Sequence, residues 1–161
     1  MLLALHREQD SLVFKHILIP TDGSPLALKG VKSGVRLAKA LGAKVSGVYV
    51  SAPYVPPVLP EGAVIYVPTA DPREYKKAMD AHAEKALAVI EREAKAAGVR
   101  CETRAVSDPQ PWQGILKAAR ARKCDAIVIA SHGRGGLGGL LLGSQTARVL
   151  SHSKIPVLVV R

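Results

Sequence analysis

The sequence predicts an α/β protein: a doubly wound, five-stranded parallel sheet of strand order 3-2-1-4-5 with helices on both faces. Three observations lead there. Short β-rich runs alternate with longer stretches of helical period, giving β-α-β-α-β-α-β-α-β, the order that parallel sheets are built from. One run, "DAIVIA" (125–130), is unbroken apolar, as a central strand covered on both faces requires. With 161 residues, 48% of them hydrophobic, the chain is long enough for one packed core.

The elements follow in order. "KHILIP" (15–20) is the first strand, ended by Pro20 and the turn-prone "TDGSP". Ser24 and Pro25 open a helix, a hydroxyl cap with proline at the first helical position. Ala27, Leu28, Val31, Val35, Ala38 and Leu41 then recur at helical spacing until Gly42 stops them. "KVSGVYV" (44–50) is the second strand, and the interval suits a right-handed crossover. Residues 51–72 carry six prolines and read as a long irregular loop with a brief extended piece at "AVIYV". A helix restarts at Asp71–Pro72 and runs to Gly98, with Glu91 and Lys95 expected to pair on its wet face. "VRCETRAV" (99–106) alternates like a half-exposed edge strand, and "SDPQPW" caps a third helix over about 111–123. After the buried fourth strand, a helix from Ser144 to His152 leads to the last strand, "PVLVV" (156–160). The whole chain is expected to form a single domain, with 1–14 as an N-terminal extension.

Composition excludes several classes. No run approaches the roughly 20 apolar residues of a membrane span. The opening "MLLALHREQD" reaches charge too early for a signal-peptide core of about 7–15 residues. Cys101 and Cys124 make neither a CxxC nor a zinc pattern and read as reduced thiols, so a cytoplasmic protein without membrane partners is expected. The net charge of +10 is spread over predicted wet helix faces, and with one Phe, one Trp and four Tyr there is little for bases to stack on. Nucleic acid is therefore not the expected partner. From Ala126 onward, however, every formal charge is positive.

That cationic segment contains "ASHGRGGLGGLLLGSQT" (130–146), which holds six of the fourteen glycines. Such a cluster is entropically costly and calls for a ligand. In a doubly wound sheet the ligand crevice lies outside the strand ends where the strand order reverses. "PTDGS" and "SHGRGG" flank that point and would bring Thr21, Asp22, Ser131 and Gly133 around one crevice. Three phosphate-binding templates can be laid on the loop. "GRGGLG" (133–138) matches a dinucleotide fingerprint, but no acidic residue follows to hold the ribose. "GGLLLGS" places Ser144 where a P-loop has lysine, which argues against rapid ATP turnover. Asp22, Ser131 and His132 could make a hydrolytic triad, but the GxSxG elbow is missing.

The third template fits. "S-H-G", nine residues and "G-S" resemble the ATP-binding signature of the universal stress protein family, G-x2-G-x9-G-[S/T]. "HILIPTDGS" and "IPVLVVR" resemble that family's opening and closing strands, so the likeness spans nearly the whole chain. It implies a Rossmann-like ATP-binding regulatory module for the stress response, with little or no hydrolysis. It also implies a homodimer through the C-terminal strand. Carried over by position, Pro20, Thr21 and Asp22 line the adenine and ribose side, and Val50 and Ile129 face the base. Gly133, Gly143, Ser144, Gln145 and Thr146 cradle the phosphates. Magnesium would enter with the triphosphate, with Asp22 as the contributor from the protein. One position departs: Ala130 stands where the motif has its first glycine, and its methyl group faces a decision between an ATP-binding module and a nucleotide-free dimeric interaction protein of the same fold.

Overall fold

A computed structural model describes residues 14–56, 71–132 and 142–161. Strands β1 (His16–Pro20), β2 (Lys44–Ser51), β3 (Cys101–Ser107), β4 (Ala126–Ala130) and β5 (Val157–Val160) form one sheet in the order β3-β2-β1-β4-β5. All four pairings are parallel. They are connected by α1 (Pro25–Leu41), α2 (Pro72–Ala97), α3 (Pro111–Ala121) and α4 (Ser144–His152). Right-handed crossovers decide which face each helix covers. The chain steps from β1 to β2 to β3 in one direction, which puts α1 and α2 on one face. It then jumps back across β1 to β4 and β5, which puts α3 and α4 on the other.

Side chains alternate along each strand, so each strand feeds two cores. Ile17, Ile19, Val45, Tyr49 and Val128 pack with Val31, Val35 and Ile90 beneath α1 and α2. Leu18, Val48, Ile127 and Ile129 pack with Ile115, Leu116 and Val149 beneath α3 and α4. β1 and β4 are buried along their whole length, as expected of the central pair. β3 alternates between half-buried and exposed positions, as an edge strand should.

The first three helices begin with proline, and two of them also have side-chain caps. Ser24 Oγ accepts the Ala27 amide at 3.1 Å, and an Asp71 oxygen accepts the Arg73 amide at 2.8 Å. α1 and α2 stop at Gly42 (φ 63°) and Gly98 (φ 70°), the left-handed conformation in which glycine carries no Cβ penalty.

Some details differ from the sequence reading. β3 starts at Cys101 because the Val99 amide is used to close the end of α2, donating to Ala94 O at 2.9 Å. α3 ends at Ala121, and its start has Gln110 as N-cap with no side-chain bond. Asp108 instead accepts the Gln110 amide and the Lys117 ammonium, at 2.9 and 2.7 Å. Glu91 does not pair with Lys95; it accepts the Thr103 hydroxyl of β3, while Lys76 and Asp80 make an i,i+4 ion pair in α2. The N-terminal extension up to residue 13, the "AVIYV" piece and Gly133 lie outside the described residues. Among those described, no helix is long and apolar enough to cross a membrane.

Candidate functional site

The strand order reverses between β1 and β4, and these two parallel strands end at the same edge of the sheet. Pro20 closes β1, and the Thr21 amide donates back to Val48 O at 2.9 Å. The turn that follows is held by its own side chains. Thr21 Oγ1 accepts the Gly23 amide at 3.1 Å, and Asp22 Oδ1 accepts the Ser24 amide at 2.9 Å. Thr21 and Asp22 are thereby fixed at the mouth of the crevice, both half-buried.

β4 leaves the sheet through Ala130 and Ser131. Ser131 is 3% exposed and is gripped on both sides: its amide donates to Val160 O at 2.7 Å, and its carbonyl accepts the Gly143 amide at 2.8 Å. That second bond brings the start of α4 against the end of β4. A Cβ on Gly143 would stand 3.0 Å from Ser131 O and 3.2 Å from His132 Cα, so only glycine allows this approach. Ser131 Oγ and His132 Nδ1 share a hydrogen bond of 3.1 Å.

α4 starts differently from the other three helices. Gly143 is its N-cap, there is no side-chain cap, and its first residue is Ser144 rather than proline. The backbone N–H groups of its first turn therefore point out of the helix end with the positive end of its dipole, the arrangement that attracts anions. Ser144 is exposed beside them.

The other residues singled out in the sequence fall around this point in different ways. The Thr146 hydroxyl is 4% exposed and donates to Ala130 O at 2.8 Å, so it ties α4 to β4 and leaves Ser144 as the exposed hydroxyl of the first turn. Gln145 Oε1 accepts the Trp112 amide at 3.1 Å, giving α3 the cap that Gln110 lacks. Val50 packs toward α3, where a Cβ on Gly114 would meet its Cγ1 at 2.6 Å. Ile129 is buried in the core beneath α3 and α4. Ala130 lies on the opposite face, beside Gly30 of α1.

Sequence reasoning missed Gly30 and the Gln145–Trp112 link. Gly30 left a readable trace, because a glycine in mid-helix costs about 1 kcal/mol relative to alanine and so signals a close neighbour. The Gln145–Trp112 bond left none. Trp112 itself packs against the second core and lies tilted against His152, with ring centroids 4.6 Å apart and planes inclined by 38°. Among the described residues, no group of three or more His, Cys, Asp or Glu is placed to hold a metal ion.

A doubly wound parallel sheet whose strand order reverses between β1 and β4 places the chain among the Rossmann-like α/β proteins. More particularly, the chain belongs to the universal stress protein family, whose model matches residues 14–161. It is 32% identical over 152 residues to universal stress protein MJ0531 of Methanocaldococcus jannaschii, covering 92% of this chain and 83% of that one. It is 30% identical over 149 residues to universal stress protein YxiE of Bacillus subtilis, covering 92% of this chain and all (100%) of that one. Among solved structures, protein MJ0577 of M. jannaschii superposes with a TM-score of 0.73 at 25% identity, over 92% of this chain and 96% of that one. A universal stress protein solved in complex with cAMP superposes with a TM-score of 0.65 at 26% identity, over 92% and 98% of the two chains.

Proposed function

We propose that the protein binds adenine nucleotide, ATP foremost, in the crevice between β1, β4 and the start of α4. In this reading it is a cytoplasmic regulatory module of the stress response whose nucleotide state governs its partners. The observation that carries it is the N-terminus of α4, which has neither a side-chain cap nor a proline and stands at the reversal point of the sheet. A relative at 26% identity, solved with cAMP, supports an adenine ligand.

The residues present fit a triphosphate. The amides of Ser144 and Gln145 and the Ser144 hydroxyl would receive phosphate oxygens, with Thr21 and Asp22 on the nucleoside side. Magnesium would come in with the nucleotide, held mainly by phosphate and water, with Asp22 as the protein's carboxylate. The methyl group of Ala130 turns toward α1 and away from α4, which favours the nucleotide-binding reading over the nucleotide-free one. Ser131, at 3% exposure, is poorly placed for nucleophilic attack, which weighs against a hydrolytic triad with Asp22 and His132.

Calorimetry with ATP, AMP and NAD tests this, together with chromatography of whatever the heat-denatured protein releases. Adenine nucleotide should bind, ATP more tightly than AMP. No binding of either, or NAD binding as well as ATP, would overturn the reading.

A further inference from the structure

The opposite end of the sheet carries a cavity of about 240 Å³, where the strands begin. Lys44, at the start of β2, Arg100, just before β3, and Arg122 and Lys123, just after α3, all line it. Glu102 is the one carboxylate in the lining, and it is already paired with Arg122 at 2.6 Å. Among the described residues, Lys44, Arg100 and Lys123 have no acidic partner within ion-pair distance. The lining also holds a buried polar pair: His16 Nε2 and Ser46 Oγ are hydrogen-bonded at 2.8 Å.

Lys123 adds a separate observation. α1 and α2 each end on a glycine in the left-handed conformation, whereas after α3 that conformation is taken by Lys123 at φ 52°. It is the one non-glycine residue with positive φ among those described. A side chain in that region is strained, and such strain persists where the surroundings hold it and gathers at functional positions. Here the surroundings are visible: the Lys123 amide donates to Arg120 O at 3.0 Å and the Cys124 amide to Ala119 O at 2.9 Å. The dipole of α3 favours cations at its end and accounts for Arg122 and Lys123 being basic. It does not account for Lys44 and Arg100, which come from two other elements and converge on the same cavity.

The geometry points to a second anion site: the cavity at the amino end of the sheet binds a compact, multiply charged phosphate group. Lys44, Arg100 and Lys123 are exposed, and cations that line one concavity without acidic partners focus the field there and attract such an anion. The site is separate from the nucleotide crevice, because the five residues of β1 lie between them, about 16 Å of strand. The phosphate could be free or the polyphosphate of a nucleotide, and the two sources share the same chemistry.

Amide spectra of the ¹⁵N-labelled full chain, titrated separately with pyrophosphate and with ATP, test the assignment. Millimolar pyrophosphate should shift the amides of Ser46, Lys123 and Cys124 saturably, and sodium chloride of equal ionic strength should not. If ATP moves the same amides in competition with pyrophosphate, the bound group is nucleotide-borne; if it moves only those near Ser144, the group is the free anion. The Arg100→Gln/Lys123→Gln double variant should weaken pyrophosphate by about tenfold or more and leave ATP binding at the crevice within about twofold. Lys123→Gly separates binding from folding, because it relieves the backbone strain while removing a cation. Its melting temperature should rise as its pyrophosphate affinity falls. Unshifted amides, shifts that chloride reproduces, or full affinity in the double variant would overturn the site.

Discussion

Ala130 ends β4 directly against Gly30 of α1: a Cβ on Gly30 would stand 3.0 Å from Ala130 N and 3.4 Å from Ala130 Cβ. The pairing follows from strand parity. Ala126 and Val128 face α1 and α2, and Ala130 is the next residue of that series. The missing side chain at Gly30 leaves the room that the methyl group of Ala130 occupies.

The first prediction follows from this contact. Ala130→Gly, which restores the motif glycine, should leave ATP affinity within about twofold, because the methyl group does not face α4. It should cost about 1 kcal/mol of stability, from the buried methyl and the added chain entropy. Gly30→Ala should destabilise by about 1–3 kcal/mol despite alanine's better helix propensity, because its Cβ meets a strand backbone that cannot step aside. Urea denaturation and calorimetry on both variants measure these effects. A large gain in affinity in Ala130→Gly would show that the methyl crowds the ligand after all.

The second prediction separates phosphate binding from the packing of α4. Gly143→Val is a poor probe, because its side chain would strike Ser131 and His132 and displace the helix whether or not a ligand binds there. Ser144→Asp is a cleaner one. A carboxylate at the start of α4 should raise stability slightly, by about 0.3–1 kcal/mol through the helix dipole. It should also lower ATP affinity by about tenfold or more through charge repulsion. Those opposite signs, read by melting temperature and calorimetry, are the signature expected of an anion site. Unchanged affinity would place the phosphates elsewhere.

Much of this architecture is legible in the residues themselves. β4 announces itself as an unbroken apolar run, and the starts of α1 and α2 are written in Ser24–Pro25 and Asp71–Pro72, where capping is local chemistry. The ends are less legible where turn closure takes residues from the next element, as Val99 is taken from β3. The candidate site divides in the same way. Its location follows from topology together with two short loops, both of which can be read from the sequence. What its side chains do depends on contacts between distant elements. Thr146 bonds Ala130, Gln145 caps α3, and Ala130 meets Gly30, and no periodicity encodes such meetings.

The third prediction concerns pH. Burial chiefly, and Lys44 next, hold the His16 imidazole below its ordinary range; Arg122 acts the same way, while Asp125 and Glu102 pull against it. The folded protein therefore keeps His16 neutral at a pH where the unfolded chain protonates it, near 6.5. Its contribution to stability is complete above that value and is lost as pH falls from there through the folded pKa. Urea midpoints measured between pH 7.5 and 5 should fall with pH, and His16→Gln should flatten part of that slope. An equally steep slope in the variant would show that other groups carry it.

The fourth prediction is a homodimer through β5, which has β4 on one side and an open edge on the other. An apolar edge invites pairing with another chain, and antiparallel pairing of two copies across a twofold axis would close at two subunits. Its side chains are not equivalent. Val157 and Val159 are half-buried against the core beneath α3 and α4, so charging them would damage the fold along with any interface. Leu158 is 48% exposed, and Leu150 on α4 is 47% exposed. Leu158→Lys is therefore the discriminating change, because it leaves the core intact and brings like charges together across the axis. Burying the exposed half of two leucines is worth about 1.5–3 kcal/mol, so losing it should weaken the dimer by roughly 10- to 140-fold before repulsion is added. Light scattering should give the wild type near twice 17.0 kDa and the variant near 17.0 kDa, with matching far-UV circular dichroism. A wild type that is monomeric at micromolar concentration would refute the β5 dimer, and a Leu158→Lys variant that stays dimeric would move the interface to another surface.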